Sequence, residues 1–250
     1  MEHKDVNYKK MGHRIDGRAF DQLRPLKIQV GVVPNADGSA YLEWGQNKVT
    51  AAVYGPREAL PKHTQNPYRA IINFKYRMAA FSVPDRKNPR PGRRDIEISK
   101  VCGEALERVT FLERFPNTAI DVLVTIWDSN AGSRVAGLSA AACAMADAGI
   151  PMRDLVCATG VGKAYGEILL DLNKDEEDAS DAVDIPFGIL PRTGEIVLLQ
   201  MDGMLTKDEW KKCYELGLKG CQQVYEVQKK ALVSAFDTRT VAEPATENGA

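Results

Sequence analysis

The sequence predicts an α/β protein of the α+β kind on three observations. It opens with β-patterned segments joined by short polar turns, a strand, a Gly-Ser turn and a small-residue helix follow at its middle, and one long amphipathic helix closes it. With 250 residues, 44% of them hydrophobic and 27% charged, the chain can bury a core without disulfides or a structural metal. Its 33 Lys+Arg against 34 Asp+Glu give a formal net charge of -1, so any polyanion site must be local. No uninterrupted apolar run reaches the roughly 18 to 20 residues of a membrane span, and the start MEHKDVNYKK lacks the apolar region of an export signal. A cytoplasmic protein with no membrane partner is expected.

Taken in order, residues 26–33, 39–45 and 48–55 alternate as strands around the turn signals Pro34–Gly38 and Gly45–Asn47, an antiparallel opening. Residues 71–76 (IINFKY) are a fourth strand. The segment 84–95, with three prolines and a glycine, cannot be helical. From Arg94 onward Ile98, Val101, Cys102, Ala105, Val109 and Leu112 recur at helical spacing, up to Phe115-Pro116. Residues 119–127 form a buried strand, 128–134 a turn, and 134–149 a helix ended by Gly149 and Pro151. Residues 155–164 and 166–172 form a hairpin, an acidic loop follows, and IPFGIL and EIVLLQMDG complete the β part. The last helix runs from about Thr206 to Ala235 behind the capping box Thr206–Glu209. One domain over 1–236 is expected, with 237–250 a disordered polar tail.

Five cysteines, an odd number without CxxC spacing and set among apolar neighbours, read as buried free thiols. The three histidines all fall early and pair with no Ser or Cys motif, which leaves triad hydrolysis without support.

Three loops carry the candidate chemistry. Arg86, Lys87, Arg90, Arg93 and Arg94 face one acid, Asp85; this is either a solvated charge run or, because Arg93 and Arg94 precede a helix, a grip for phosphate oxygens. Asn130-Ala131-Gly132-Ser133-Arg134 joins a buried strand to a helix, and Ser133 either caps that helix or donates to an anion beside Arg134. Asp171–Asp184 places seven acids in fourteen residues with Lys174 the only base, and a turn could bring Asp178 to Asp184. Two close carboxylates raise each other's proton affinity or share a divalent cation. An anion cradle, an arginine pair and an acidic pair make a phosphate-handling site, with neither a P-loop nor a GxGxxG fingerprint.

At these residues the chain resembles the RNase PH family, and within it the catalytic RNase PH-like subunits of archaeal exosomes. The stretches that carry the resemblance are RIDGRAFDQLRP (14–25), ADGSAYLEWGQNKVTAAVYGPRE (36–58), RKNPRPGRRDIEISK (86–100), AGSR (131–134), DAGIPMRDL (147–155) and GKAYGEILLDLN (162–173) with its acidic loop. The resemblance implies a ribosomal-protein-S5-domain-2-like βα fold and phosphate-dependent 3′-to-5′ degradation of RNA. It implies that Gly132, Ser133 and Arg134 bind phosphate and that Arg93 and Arg94 bind RNA and phosphate. Asp178 is then the general acid and Asp184 the second acid, the two holding a divalent cation such as Mg²⁺. Lys62 falls where relatives carry an arginine that touches RNA. Three departures stand out: Asn130 replaces an aspartate, Lys62 an arginine, and the acidic loop is one residue longer, which makes Glu177 a rival to Asp178. The six-residue spacing to Asp184 favours Asp178, with Glu177 expected to face solvent.

The implied partners are single-stranded RNA, inorganic phosphate as co-substrate, a catalytically inactive RNase PH-like subunit alternating in a hexameric ring, and RNA-binding cap subunits. Two alternatives remain: a structural subunit of such a ring that binds RNA without cleaving it, and a tRNA-trimming homohexamer.

Overall fold

The computed structural model describes Tyr8 and residues 12–242. Three antiparallel strands open it as the alternation predicts: β1 (Leu26–Val30), β2 (Gly38–Trp44) and β3 (Asn47–Glu58). With β4 (Ile71–Met78) and β5 (Thr118–Asp128) they form one five-stranded sheet in the order β1-β2-β3-β5-β4. β4 turns Ile72, Phe74 and Tyr76 inward on alternate positions.

β4 and β5 run parallel, and the crossover between them is α1 (Arg93–Val109), packed on β4 through Ile98, Cys102, Ala105, Leu106 and Val109. Leu112 is buried, but in a separate single turn (Leu112–Arg114). The helix stops three residues earlier than its periodicity predicts, because Thr110 is extended and its hydroxyl takes the carbonyl of Leu106 at 2.8 Å. α2 (Ser133–Asp147) follows β5 and is apolar nearly all round. It packs on β2, β3 and β5 and, on its other side, on β6 (Cys157–Ala164). Its small residues allow that close packing: a Cβ on Gly137 would stand 3.2 Å from Val124.

β6, β7 (Glu167–Leu170), β8 (Val183–Leu190) and β9 (Glu195–Leu199) make a second, antiparallel sheet in the order β7-β6-β8-β9. A short helix, α3 (Lys174–Glu177), interrupts the acidic loop. α4 (Lys207–Ala242) packs on β6, β7 and β1, and Thr206 and Glu209 form the expected capping box. The helix continues to Ala242, past Ala235 and into the tail predicted to be disordered; no proline occurs before Pro244 to stop it. The rest of that predicted tail, 243–250, lies outside the described residues. All five cysteines are buried and free, and both sheets contribute side chains to one continuous buried cluster.

Candidate active site

Because β4 and β5 are parallel, Met78 and Asp128 end them on the same side of the sheet, and α1 and α2 both begin there. The beginning of β8 and the segment after β9 reach this edge from the second sheet. They enclose a cleft of about 690 Å³ whose lining includes Arg93, Arg94, Glu97, Arg134, Glu177 and Asp184. Convergence of helix starts at strand ends is the usual geometry for an anion site in such folds.

On the basic wall, the chain breaks at Pro91-Gly92, and Asp95 caps α1 by accepting from the Gly92 N–H at 2.8 Å. Arg93 and Arg94 therefore stand in the first turn of α1, which corrects the expectation that all of 84–95 is non-helical and that the pair precedes the helix, and there the helix field disfavours cations. Among the described residues neither side chain has a hydrogen-bonding or ion-pair partner that would offset this.

The 130–134 turn holds Ala131 (φ 57°) and Gly132 (φ 67°) both left-handed. Such a conformation needs outside support for alanine. Arg24 supplies it by donating to the carbonyls of Asn130 and Ala131, and Asn47 by donating to Ala131 O at 2.7 Å and accepting from Asn130 N at 2.5 Å. Ser133 is buried and does not cap its own helix; its oxygen accepts from the Tyr76 hydroxyl at 2.7 Å. Burial pushes the Tyr76 phenol up to about 12, which keeps it a donor. Arg134 reaches into the cleft. Its Nη1 donates to Gln200 Oε1, its Nη2 lies 3.7 Å from Glu97, and its buried Nε has no partner among the described residues.

On the acidic wall six of the seven carboxylates separate by role. Asp171 is fully interior and bonded to Arg24 and Trp44. Asn173 caps α3, and the carboxylate of Glu176, three residues on, turns back to the Asn173 N–H and into a buried pair with Arg14 that the Tyr8 hydroxyl joins at 2.8 Å. Asp181 accepts from the N–H groups of Tyr165 and Gly166 in the β6–β7 turn. With Glu176 pinned inward, each following residue rotates by about 100°. Glu177 then lines the cleft, its side chain 22% exposed, whereas Asp178 is 62% exposed and bonds Lys174 at 2.6 Å. The expectation that Glu177 faces solvent is corrected accordingly.

Asp184 lies opposite Gly162 on β6. Its backbone exchanges hydrogen bonds with Asp202, 3.1 Å and 3.0 Å. Burial, then the charges of Glu177 and Asp202, push its carboxyl up to about 6 against the opposing pull of Arg134 and Arg94. Among the described residues no group of three or more His, Cys, Asp and Glu is placed to hold a metal. Asp178 is outside the cleft lining that contains Asp184. Asp184 and Glu177 share the cleft lining, and carboxylates are the donors that Mg²⁺ takes beside water and substrate phosphate.

Lys62 is elsewhere. It begins a single helical turn (Lys62–Thr64) between β3 and β4, beside the start of β5, where Glu58 pairs with Thr118. The eleven residues of β5 from Thr118 to Asp128, about 33 Å of strand, separate that end from the cleft. Sequence reasoning missed Glu97, Gln200 and Asp202, which lay inside patterns read only as helix and strand. It also gave no role to Arg14 and Arg24, although both stand in the RIDGRAFDQLRP motif.

Comparison with known proteins gives one consistent result. Residues 22–151 match the model of the 3′ exoribonuclease family, domain 1, and residues 154–220 its domain 2. The chain is 58% identical over 225 residues to the exosome complex component Rrp41 of Pyrococcus abyssi, covering 90% of each chain. With its namesake from Methanopyrus kandleri it shares 54% over 225 residues, 90% of this chain and 94% of that one. Among solved structures, rice (Oryza sativa) Rrp46 superposes with a TM-score of 0.79 at 26% identity, over 88% of this chain and 100% of that one. A chain of the Archaeoglobus fulgidus exosome with RNA bound to the active site gives 0.74 at 21% identity, over 87% and 93%, a likeness of fold. With both of its domain models matched in order across the β-sheets that build the cleft, the chain belongs to the RNase PH 3′ exoribonuclease family.

Proposed function

We propose that this chain is a phosphate-dependent 3′-to-5′ exoribonuclease, in which inorganic phosphate attacks the last phosphodiester of an RNA 3′ end and releases a nucleoside diphosphate. One observation carries the reading: Arg134 presents a buried, unpartnered Nε at the start of α2, in the same cleft as the unpaired Arg93 and Arg94. Buried donors without acceptors are rare. Three guanidinium groups at two helix starts suit two phosphate groups, one attacking and one under attack.

The protein's part is positioning and charge stabilisation. Arg134 and the first N–H groups of α2 hold the attacking phosphate, with Gly132 leaving the approach open and Ser133 fixing the turn through Tyr76. Arg93 and Arg94 hold the scissile and adjacent phosphates. Asp184, with its carboxyl near 6, supplies the proton that the leaving 3′ oxygen needs. Of the two acids that the loop offers as its partner, cleft geometry supports Glu177, and the spacing to Asp184 supports Asp178. A divalent cation bound by Asp184 and Glu177 would keep Asp184 ionised and would take the place of its proton in neutralising charge on the leaving oxygen.

The exosome names of the relatives support a ring, with a second, catalytically inactive RNase PH-like subunit and RNA-binding caps completing the RNA path. Lys62, at the other end of β5 from the cleft, would touch RNA before the cleft does. The same reading puts the chain in the cytoplasm; among the described residues no helix is long and apolar enough to cross a membrane. The acid-lined cleft speaks against a purely structural subunit.

The test is incubation with 5′-labelled single-stranded RNA, alone and with the partner subunit, with and without phosphate. Stepwise shortening that requires phosphate and yields nucleoside diphosphates is expected. Nucleoside monophosphates formed without phosphate would identify a hydrolase, and binding without shortening a structural subunit.

A further inference from the structure

The cleft contains two acids that the proposed reaction does not use, Asp202 and Glu97. Glu97 lies one turn beyond Arg93 and Arg94 on α1, at the i+4 and i+3 positions where a helical glutamate ordinarily pairs with such residues. Its carboxylate turns instead to two other elements. Gln200 Nε2 donates to Glu97 Oε1 at 3.0 Å, and Arg134 Nη2 stands 3.7 Å from the same oxygen. Gln200 also accepts from Arg134 Nη1. One amide therefore holds both partners.

The three nitrogens of Arg134 thus differ. Nη1 is taken by a neutral amide, Nε is buried without a partner, and Nη2 faces a carboxylate oxygen at a distance too long for a good hydrogen bond. An oxyanion that binds a guanidinium with two oxygens needs two neighbouring nitrogens. The edge left for it is Nε with Nη2, and Glu97 Oε1 stands at the Nη2 end of that edge.

We propose that Glu97, held by Gln200, is an internal competitor for the phosphate oxyanion on the Nε–Nη2 edge of Arg134, so that its charge sets the anion affinity of the site. The inference rests on the phosphorolytic reading above and adds a residue that tunes it. Glu97 acts through Arg134 and is a positioning residue.

The test compares wild type with Glu97→Gln, which keeps an acceptor for Gln200 Nε2 and removes the charge. Glu104→Gln, on an exposed part of the same helix outside the cleft lining, is the control. Inorganic phosphate is titrated calorimetrically into the folded protein, and single-stranded RNA is titrated separately in phosphate-free buffer. Thermal midpoints are measured alongside. For a half-exposed carboxylate, Glu97→Gln should tighten phosphate binding by about two- to fivefold while Glu104→Gln does not. Tightening of RNA alone would still support the competitor and identify its rival as a phosphodiester of the RNA. Unchanged affinity for both ligands, or weaker binding, overturns the proposal; weaker binding would mean that Glu97 only orients Arg134. Because binding is read without turnover, an enzyme found to be hydrolytic would sink the phosphorolytic reading separately.

Discussion

The guanidinium of Arg24 and the carboxylate of Asp171 form a two-point pair in the interior, Nη2 to Oδ1 at 2.6 Å and Nε to Oδ2 at 2.9 Å, and the same guanidinium holds the carbonyls of Asn130 and Ala131. One side chain thereby links the 130–134 turn to the beginning of the acidic loop. Asp171→Asn tests the link, because asparagine tolerates the left-handed backbone of this position (φ 57°) while the charge is lost and one of the two acceptor oxygens becomes a donor facing N–H groups. Leaving Arg24 buried without its counter-charge should cost about 3–5 kcal/mol, read by chemical denaturation. The charges of Arg24 and Arg18 hold the Asp171 carboxyl below its ordinary value despite burial. A depressed folded value stabilises above the unfolded value and is lost as pH falls, so the wild type should lose this contribution in acid and the variant should not.

Asp184 has the opposite sign. Its carboxyl is pushed up to about 6 from 3.8, so the folded protein binds the proton more tightly than the unfolded chain. Its favourable contribution is complete below about 3.8 and declines as pH rises through 6. Asp184→Asn should remove this slope and raise stability at pH 7 by up to about 3 kcal/mol. Turnover should fall by roughly 10²- to 10⁴-fold, as for the loss of a general acid. Denaturation curves at pH 5 and 7, run beside a turnover assay, check both. A variant equally stable but fully active would remove Asp184 from the chemistry.

Glu177 and Asp178 are separated by one bond along the chain and by their surroundings. Glu177→Gln should reduce turnover more than Asp178→Asn, because only Glu177 lines the cleft and raises the Asp184 carboxyl. Asp178→Asn removes a pair with Lys174 at the surface, which is worth less than about 1 kcal/mol of stability. Steady-state rates of the two purified variants decide the order, and the reverse order returns the role to Asp178.

Gly162→Ala tests the support under Asp184. The two residues are opposite each other in the β6–β8 pair, and a Cβ at 162 would stand 1.8 Å from the Val183 carbonyl oxygen. The strand must move to relieve this, so a loss of about 1–3 kcal/mol or more is expected, together with reduced turnover. Thermal unfolding and the same RNA assay measure it. An active variant of wild-type stability would show that β8 shifts without disturbing the site.

The strands, the crossover helix and the small-residue helix were legible from the sequence because each depends on local periodicity and turn chemistry: alternation in Ile71–Tyr76, helical spacing from Ile98 to Val109, a capping box at Thr206–Glu209. The motif residues Arg93, Arg94, Arg134 and Asp184 were also legible as loop charges without a structural purpose, and the fold brings them to one cleft. Which acid faces them was not. That is decided by Glu176, whose pairing with Arg14 across 162 positions of sequence fixes the rotation of a four-residue helix. Lys62, Glu97 and Gln200 depended in the same way on which ends of β4, β5 and β9 meet. Sequence alone determined the elements and their charged loops, because those interactions are short-range; only tertiary structure decided which charges meet, because long-range packing sets the position and rotation of each element.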